Sequence, residues 1–262
     1  MRTLTDARLC HNRFMSKPLM PKSIEISLER LLQSQGHGTR RACRVLIEGG
    51  QVQIDAQVCV DPEQRINPLG LCYTVAGEAW VYHPQAYVML HKPAGYECSQ
   101  KPRHHLSVYD LLPAALRQRG VQSVGRLDED TTGLLLFSDD GQFIHRMSAP
   151  KWKVNKVYRV GVKHPLDAAQ IQALRAGVVL HDEPQPITAV ACAQIDAHTL
   201  NLTLAEGKYH QVKRMLAAVG NRVEALHRSA IGDLALPDDI KVGEWRWLNA
   251  AEVVSVGMKT PN

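Results

Sequence analysis

A chain of 262 residues with 45% hydrophobic content can bury one large core, or a large and a small one, and none of its apolar runs reaches the ~18–20 residues of a membrane-spanning helix. The formal charge of +5 is mildly basic and by itself weak ground for a nucleic-acid partner. Six scattered cysteines (Cys10, Cys43, Cys59, Cys72, Cys98, Cys192) form no CxxC pair, and the twelve histidines lack ligand spacing, which argues against a disulfide scaffold or a structural metal and for reduced thiols in a cytoplasm.

Residues 1–24 hold Arg2, Arg8, Arg13, Lys17 and Lys22 against Asp6 alone and have no continuous apolar stretch of the kind a secretory signal carries. They are expected to be a disordered basic arm, or the product of a mis-assigned start with Met15 or Met20 as the later one. Next, "SLERLLQSQGHGTRRACRVLIEG" predicts two short helices around the turn Gly36–Gly38. Leu28, Leu31 and Leu32 lie on one face of the first, and Cys43, Leu46 and Ile47 on one face of the second. "GGQVQIDAQVCVD" alternates Val52 with Ile54 and Val58 with Val60 about Asp55–Ala56, a hairpin pattern. Thr39 is placed to cap the second helix, leaving Arg40, Arg41 and Arg44 on its exposed start. Arg40 and Arg44, four residues apart, repel one another unless a phosphate-rich partner relieves them.

This order of leucines, basic helix start and small hairpin resembles the S4 RNA-binding domain, which assigns residues 25–82 to such a domain and Arg40, Arg41 and Arg44 to RNA. The segment carries five bases and seven acids, so binding would depend on that one face.

A linker is expected near His83-Pro84-Gln85, before a larger domain at 83–262. There "AYVMLHKPAGY" predicts a strand ended by Lys92-Pro93 and Gly95. "GLLLFSDDGQFIHRM" predicts a buried strand, an Asp-Asp-Gly turn capped by Asp139 or Asp140, and a helix with Phe143, Ile144 and Met147 on one face. "KVYRVGV" points Tyr158, Val160 and Val162 to one side. "HTLNLTLAEG" alternates Leu200, Leu202 and Leu204, and "HQVKRMLAAVGN" is a helix with the stripe Val212, Met215, Leu216 and Val219, ended by Gly220-Asn221. Strands and helices interleave without a regular βαβ repeat, so the class is α+β.

The stretch "GRLDEDTTGLLLFSDDG" poses the functional question, because charges at the mouth of an apolar strand are costly to desolvate unless paired or used. Counted from Asp128, the spacing nearly matches a calcium loop, but the fifth position is Thr, the twelfth is a short Asp139, and no entering helix precedes it. The other reading is a reactive carboxylate in a partly dry pocket, kept ionised by Arg126, Lys213 or Arg214, with Tyr158 near a planar substrate. No nucleotide-binding or nucleophile-elbow motif accompanies it, so an acid–base or covalent reaction without a cofactor is expected, its identity left open by spacing alone.

"GRLDEDTTGLLL", with "LHKPAGY" before it and "KVYRV" and "LAEGKYHQVKRM" after it, resembles the RsuA-type ribosomal RNA pseudouridine synthases. The resemblance covers most of the chain. It implies a mainly antiparallel mixed sheet flanked by helices, and an enzyme that flips a uridine out of RNA and isomerises it without cofactor or metal. Residue by residue it implies Asp128 as the essential aspartate, nucleophile or base, with Asp130 structural. It implies Tyr158 as the active-site tyrosine, in Lys-Val-Tyr where the family often has Lys-Thr-Tyr, and Lys213 as the partner of Asp128. Arg126, Leu204 and Arg214 follow as substrate-binding residues, Arg126 entering the RNA as the base leaves and Leu204 walling the pocket. Tyr209-His210 favours the small-subunit (16S) branch. The implied setting is a cytoplasmic monomer acting on ribosomal RNA, free or within a small-subunit assembly intermediate. The alternative is a non-catalytic S4-containing RNA-binding or assembly protein.

Overall fold

A computed structural model describes residues 25–256, and the expected basic arm at 1–24 lies outside them. The described residues divide into two compact units, 25–86 with Leu112–Val121, and Tyr87–Leu111 with 122–256. No helix among the described residues is long and apolar enough to cross a membrane.

In the first unit, helices α1 (Leu28–Ser34) and α2 (Arg40–Glu48) pack on a four-stranded antiparallel sheet of β1 (Val52–Ile54), β2 (Gln57–Cys59), β3 (Cys72–Val75) and β4 (Glu78–Val81), in the order β2-β1-β3-β4. The stripe Leu28, Leu31, Leu32, Cys43 and Ile47 closes over Val52, Cys59, Tyr73 and Val75. Thr39 Oγ1 accepts from the Ala42 amide at 3.3 Å, the expected cap. The expected repulsion between Arg40 and Arg44 is absent for a reason outside the helix. Glu29 of α1, buried to 1% exposure, takes Arg40 at 2.5 Å on one oxygen and Arg44 at 2.8 Å on the other. The hydrogen bond from Arg40, with that from Arg44, holds the Glu29 carboxyl below its ordinary range against the opposing effect of burial.

His83 and Pro84 are anchored in this unit. Gln35 exchanges hydrogen bonds with the His83 backbone at 3.1 Å in both directions, and Arg119, from α3 (Ala114–Arg119), donates to Pro84 O at 3.0 Å and to Gln35 Oε1 at 3.0 Å. Gly36 lies so close to the Ala115 carbonyl that any Cβ would sit 2.0 Å from it. These contacts carry the first unit past residue 82 and add a segment that the sequence pattern assigns to the larger domain.

The second unit is built on a nine-stranded sheet. Its long members are β5 (Tyr87–Lys92), β6 (Thr132–Ser138), β7 (Lys156–Val162), β8 (Ala191–Asp196), β9 (Thr199–Leu204), β10 (Val223–Ile231) and β11 (Trp245–Trp247). They run in the order β8-β9-β7-β10-β6-β5-β11, antiparallel throughout except for β10 beside β6. This is the expected α+β mixed sheet. Leu134, Leu135, Leu136 and Phe137 of β6 are fully buried, flanked on one side by Val124, Phe143 and Met147. Asp140 Oδ1 accepts from the Gln142 amide at 2.9 Å to start α4 (Gly141–Ser148). The remaining helices are α5 (Ala168–Ala176) and α6 (Gln211–Ala218), with a short one at Ala250–Ser255.

The parallel pair β6–β10 meets only at Thr132–His227 and Gly133–Arg228. Gly133 adopts φ +104°, and a Cβ there would lie 2.2 Å from the Arg228 carbonyl, so the two strands can join only through a glycine. Gly133→Ala is therefore expected to destabilise the chain by about 2 kcal/mol or more, read from the urea unfolding midpoint.

Candidate active site

A pocket opens in the second unit where the segment Val124–Thr131 crosses the ends of β6, β7, β9 and β10 and faces the start of α6. That segment is irregular backbone, so its position rests on what binds its polar groups. Val124 N bonds to Leu136 O at 2.7 Å, Gly95 N to Glu129 O at 2.8 Å, and Leu127 N to Cys98 Sγ at 3.3 Å. The strongest tie is Lys92. Its side chain is fully buried at the end of β5, and its ammonium donates to the carbonyls of Thr131 at 2.8 Å, Pro93 at 2.9 Å and Glu129 at 3.1 Å. Burial pushes the Lys92 ammonium below its ordinary range, while the surrounding carboxylates and the Cys98 thiol oppose that change. The sequence pattern marks Lys92-Pro93 as a strand-ending turn, whereas the strand runs through Lys92 and the side chain organises the loop bearing Asp128.

Asp128 projects from this loop, a quarter exposed, between His210, which caps α6, and Lys213 of α6. Oδ2 is 3.2 Å from Lys213 Nζ, and Oδ1 is 3.3 Å from His210 Nε2. Lys213 is shared: Asp130 meets the same ammonium through both oxygens at 2.8 Å. Burial alone would lower the Lys213 ammonium, but its hydrogen bonds and charge contacts with the two aspartates outweigh this and hold it above the ordinary range. For Asp130, burial would raise the carboxyl, and Lys213 overcomes that and holds it low. The calcium-loop spacing has no counterpart in space: residues 132–138 are strand, so Asp128 and Asp139 stand roughly 20 Å apart at opposite ends of β6. Among the described residues no cluster could hold a metal ion.

The pocket walls come from the sheet. Tyr158, 8% exposed, stands on β7 opposite Leu202 and Arg228, and Leu204 at the end of β9 is 1% exposed opposite Lys156. Arg126 is exposed at the mouth. Asp128, Tyr158, Lys213, Arg126 and Leu204 thus line one cavity. Arg214 does not line it. The guanidinium pairs with Asp182 and donates to the Tyr209 carbonyl at 3.1 Å, fastening the turn before α6 to a neighbouring loop. Lys208 and Glu183 make a second such tie.

Three lining residues carry no signal that the sequence reading used. His210, read there as an exposed helix start, takes a left-handed φ of +47° that turns its ring to Asp128, with Tyr209 stacked on it at 3.9 Å between centroids. Its place three residues before Lys213, on the same helical face, is a usable clue. Lys156 precedes Tyr158 by two on β7 and so shares its face. Burial, then the charge of Arg228, pushes the Lys156 ammonium down to about 8. Arg228 is 4% exposed and is revealed only by strand pairing.

Residues 86–218 match the RNA pseudouridylate synthase family. The chain belongs to that family. Ribosomal small subunit pseudouridine synthase A of Yersinia pestis is 41% identical over 221 residues, covering 83% of this chain and 89% of that protein. The protein of the same name from Pasteurella multocida is 35% identical over 229 residues, 87% of this chain and 98% of its own. A crystal structure of a pseudouridylate synthase superposes with a TM-score of 0.63 at 33% identity, covering 88% of this chain and 99% of that one. The chain is therefore an RNA pseudouridine synthase, and the non-catalytic alternative is set aside.

Within this pseudouridine synthase, Lys92→Met keeps most of the buried volume and removes the donor from three carbonyls. It should destabilise the chain by about 3 kcal/mol and lower isomerase activity beyond the loss of folded protein, read by urea unfolding beside a single-turnover assay.

Proposed function

We propose that this enzyme isomerises a specific uridine of small-subunit (16S) ribosomal RNA to pseudouridine, with Asp128 at the centre of the reaction. The observation that carries the reading is Asp128 set between Lys213 and His210 at the mouth of a pocket walled by Tyr158 and Leu204. The small-subunit assignment is supported by the names of the relatives, each called ribosomal small subunit pseudouridine synthase A.

The target uridine must leave its stack, at a cost of a few kcal/mol. Arg126, exposed at the mouth and without an ion pair among the described residues, fills the gap it leaves. Tyr158 and Leu204 take the faces of the uracil. Asp128, 3.2 Å from the Lys213 ammonium, starts the reaction as a nucleophile toward sugar or base, or as the base that removes a ribose proton. The N1–C1′ bond breaks, the ring turns, and C5 bonds to C1′. The C5 proton goes to water and N1 takes one, so atoms balance with no cofactor. Asp130 holds Lys213 in place and has no direct part in the chemistry.

The first unit, read as an S4-type module over residues 25–82, holds the RNA outside the pocket through α2. Arg41 is the best-placed contact, because Arg40 and Arg44 already meet Glu29. The reading extends to a cytoplasmic monomer acting on 16S RNA, bare or within an assembly intermediate.

Tritium release from 16S transcript labelled at uridine C5, run in EDTA, tests the reaction. Release by the wild-type protein that vanishes in Asp128→Asn is expected. Release only from 23S RNA would overturn the small-subunit assignment, and release that survives the substitution would overturn the role of Asp128. Arg41→Ala is expected to weaken RNA binding and flatten the slope of log K against log salt by about one, with the single-turnover rate at saturating RNA kept within about twofold. An unchanged slope would remove α2 from the interface.

A further inference from the structure

The floor of the pocket holds a second group for the same reaction. Arg228 lines the cavity from β10, directly across the sheet from Tyr158, and is 4% exposed. Its Nε donates to the Leu134 carbonyl at 2.8 Å, which fixes the guanidinium plane against β6. Its Nη2 is buried and meets no acceptor among the described residues. Buried donors left unsatisfied are rare in native proteins, and each asks for an explanation. A second cation, Lys156, lines the same floor, and among the described residues no carboxylate is paired with either of them. A guanidinium oriented by one bond, with an unpartnered N–H on a residue that lines a substrate pocket, is built to meet an acceptor that arrives with the substrate.

Uracil supplies such an acceptor twice. The isomerisation exchanges N1 for C5 at the sugar, which amounts to a half-turn about the axis through N3 and C6. That turn also exchanges O2 with O4. A donor fixed to the protein therefore finds a carbonyl oxygen in the same place before and after the ring turns. When the N1–C1′ bond breaks, the electron pair stays on the ring and its charge spreads to O2 and O4. A contact of ordinary strength to uridine becomes a charge-assisted one as the bond breaks, which is the condition for lowering the barrier.

We propose that the free N–H of Arg228 donates to the uracil carbonyl nearest β10 in both ring orientations, making Arg228 a catalytic contact for the detached base. The proposal rests on the pseudouridine synthase reading of this pocket. It also accounts for selection against cytosine, whose 4-amino group would set a donor against the guanidinium at one of the two stages.

The wild-type protein is first used to map the modified uridine in 16S transcript by carbodiimide treatment and primer extension. No pseudouridine in 16S or 23S RNA would mark a failure of the functional reading, separate from anything concerning Arg228. Ligated transcripts carrying uridine, 2-thiouridine or 4-thiouridine at the mapped position are then compared with the wild type, Arg228→Met and Arg228→Lys in single turnover. Arg228→Met is expected to lower the rate on uridine by about 10²–10³-fold with unchanged RNA affinity. The wild type should lose of order tenfold on a thio-substituted target, sulfur being the poorer acceptor, while Arg228→Met is equally slow on oxygen and sulfur. A purely structural role for Arg228 would leave the sulfur effect the same in both proteins, and that result would overturn the proposal, as would a rate for Arg228→Met within about fivefold of wild type. Should Arg228→Met fail to fold, Arg228→Lys retains a cation able to reach the Leu134 carbonyl. A wild-type sulfur effect in that variant, at a wild-type rate, would likewise overturn the proposal.

Discussion

A buried ammonium holds the loop that bears Asp128 in place. Lys92 sits where β5 ends, sealed from water, with three loop carbonyls around it. Leaving a lysine charged in such a place is unfavourable, and burial does depress its proton affinity. The carbonyl dipoles make the location tolerable and in return lose their freedom. The eight residues from Val124 to Thr131 could follow many paths between Gln122–Ser123 and β6. Two bonds from the Lys92 ammonium, to the Glu129 and Thr131 carbonyls, with those of Gly95 and Val124, leave one. Asp128 lies inside that constraint, and so its distance to α6 is set by β5, a strand that contributes no side chain to the cavity lining.

The facing helix shows how the charge of Asp128 is managed. A single lysine against a single aspartate would form a tight pair and offer the substrate little. Here Lys213 gives its shorter contacts to Asp130, and Asp128 keeps a 3.2 Å approach on one oxygen and a histidine at 3.3 Å on the other. Asp128 therefore has a cation at close range without being locked into a bidentate bridge. Asp130, more than half exposed, keeps much of its hydration while doing this. The same logic appears in the first unit, where Glu29 separates two arginines four residues apart on α2.

The sequence made legible whatever lies within a contiguous segment. Asp128 is marked by its loop, Tyr158 and Leu204 by strand alternation, and Lys213 by the polar edge of an amphipathic helix, and the structure brings these together. Whatever depends on pairing between distant segments was hidden. Arg228 reads as one charge in "VEALHRSAI", and only the register of β10 against β7 sets it opposite Tyr158. Glu29 reads as a helix-surface residue until α2 packs over it. Arg214 looks equivalent to Lys213 by adjacency, yet a step of one residue turns a helical side chain by about 100°, toward Asp182 instead of the pocket. The ties of His83-Pro84 were hidden in the same way: the segment has the composition of a linker, and Gln35 and Arg119 donate to its backbone.

These residues divide by the kind of element that carries them, and the division fits a reaction in which a base must both enter and turn. Tyr158, Lys156 and Arg228 stand on adjacent strands with a pairing partner on both sides, and Leu204 is paired with Lys156, so the sheet holds the floor. Arg126, Asp128 and His210 stand on loops and a left-handed turn at the rim, where the backbone is held by a few bonds instead of a ladder. A planar ring that rotates within a rigid slot keeps the same walls throughout, so contacts made to its edge before the turn can be made again after it. The groups that must meet the sugar and the RNA backbone need the opposite property, because those parts of the substrate arrive and leave in each cycle. On the proposed reaction, rigidity is thus placed where the ring turns and adjustability where the chain passes, and the buried Lys92 marks the border between them.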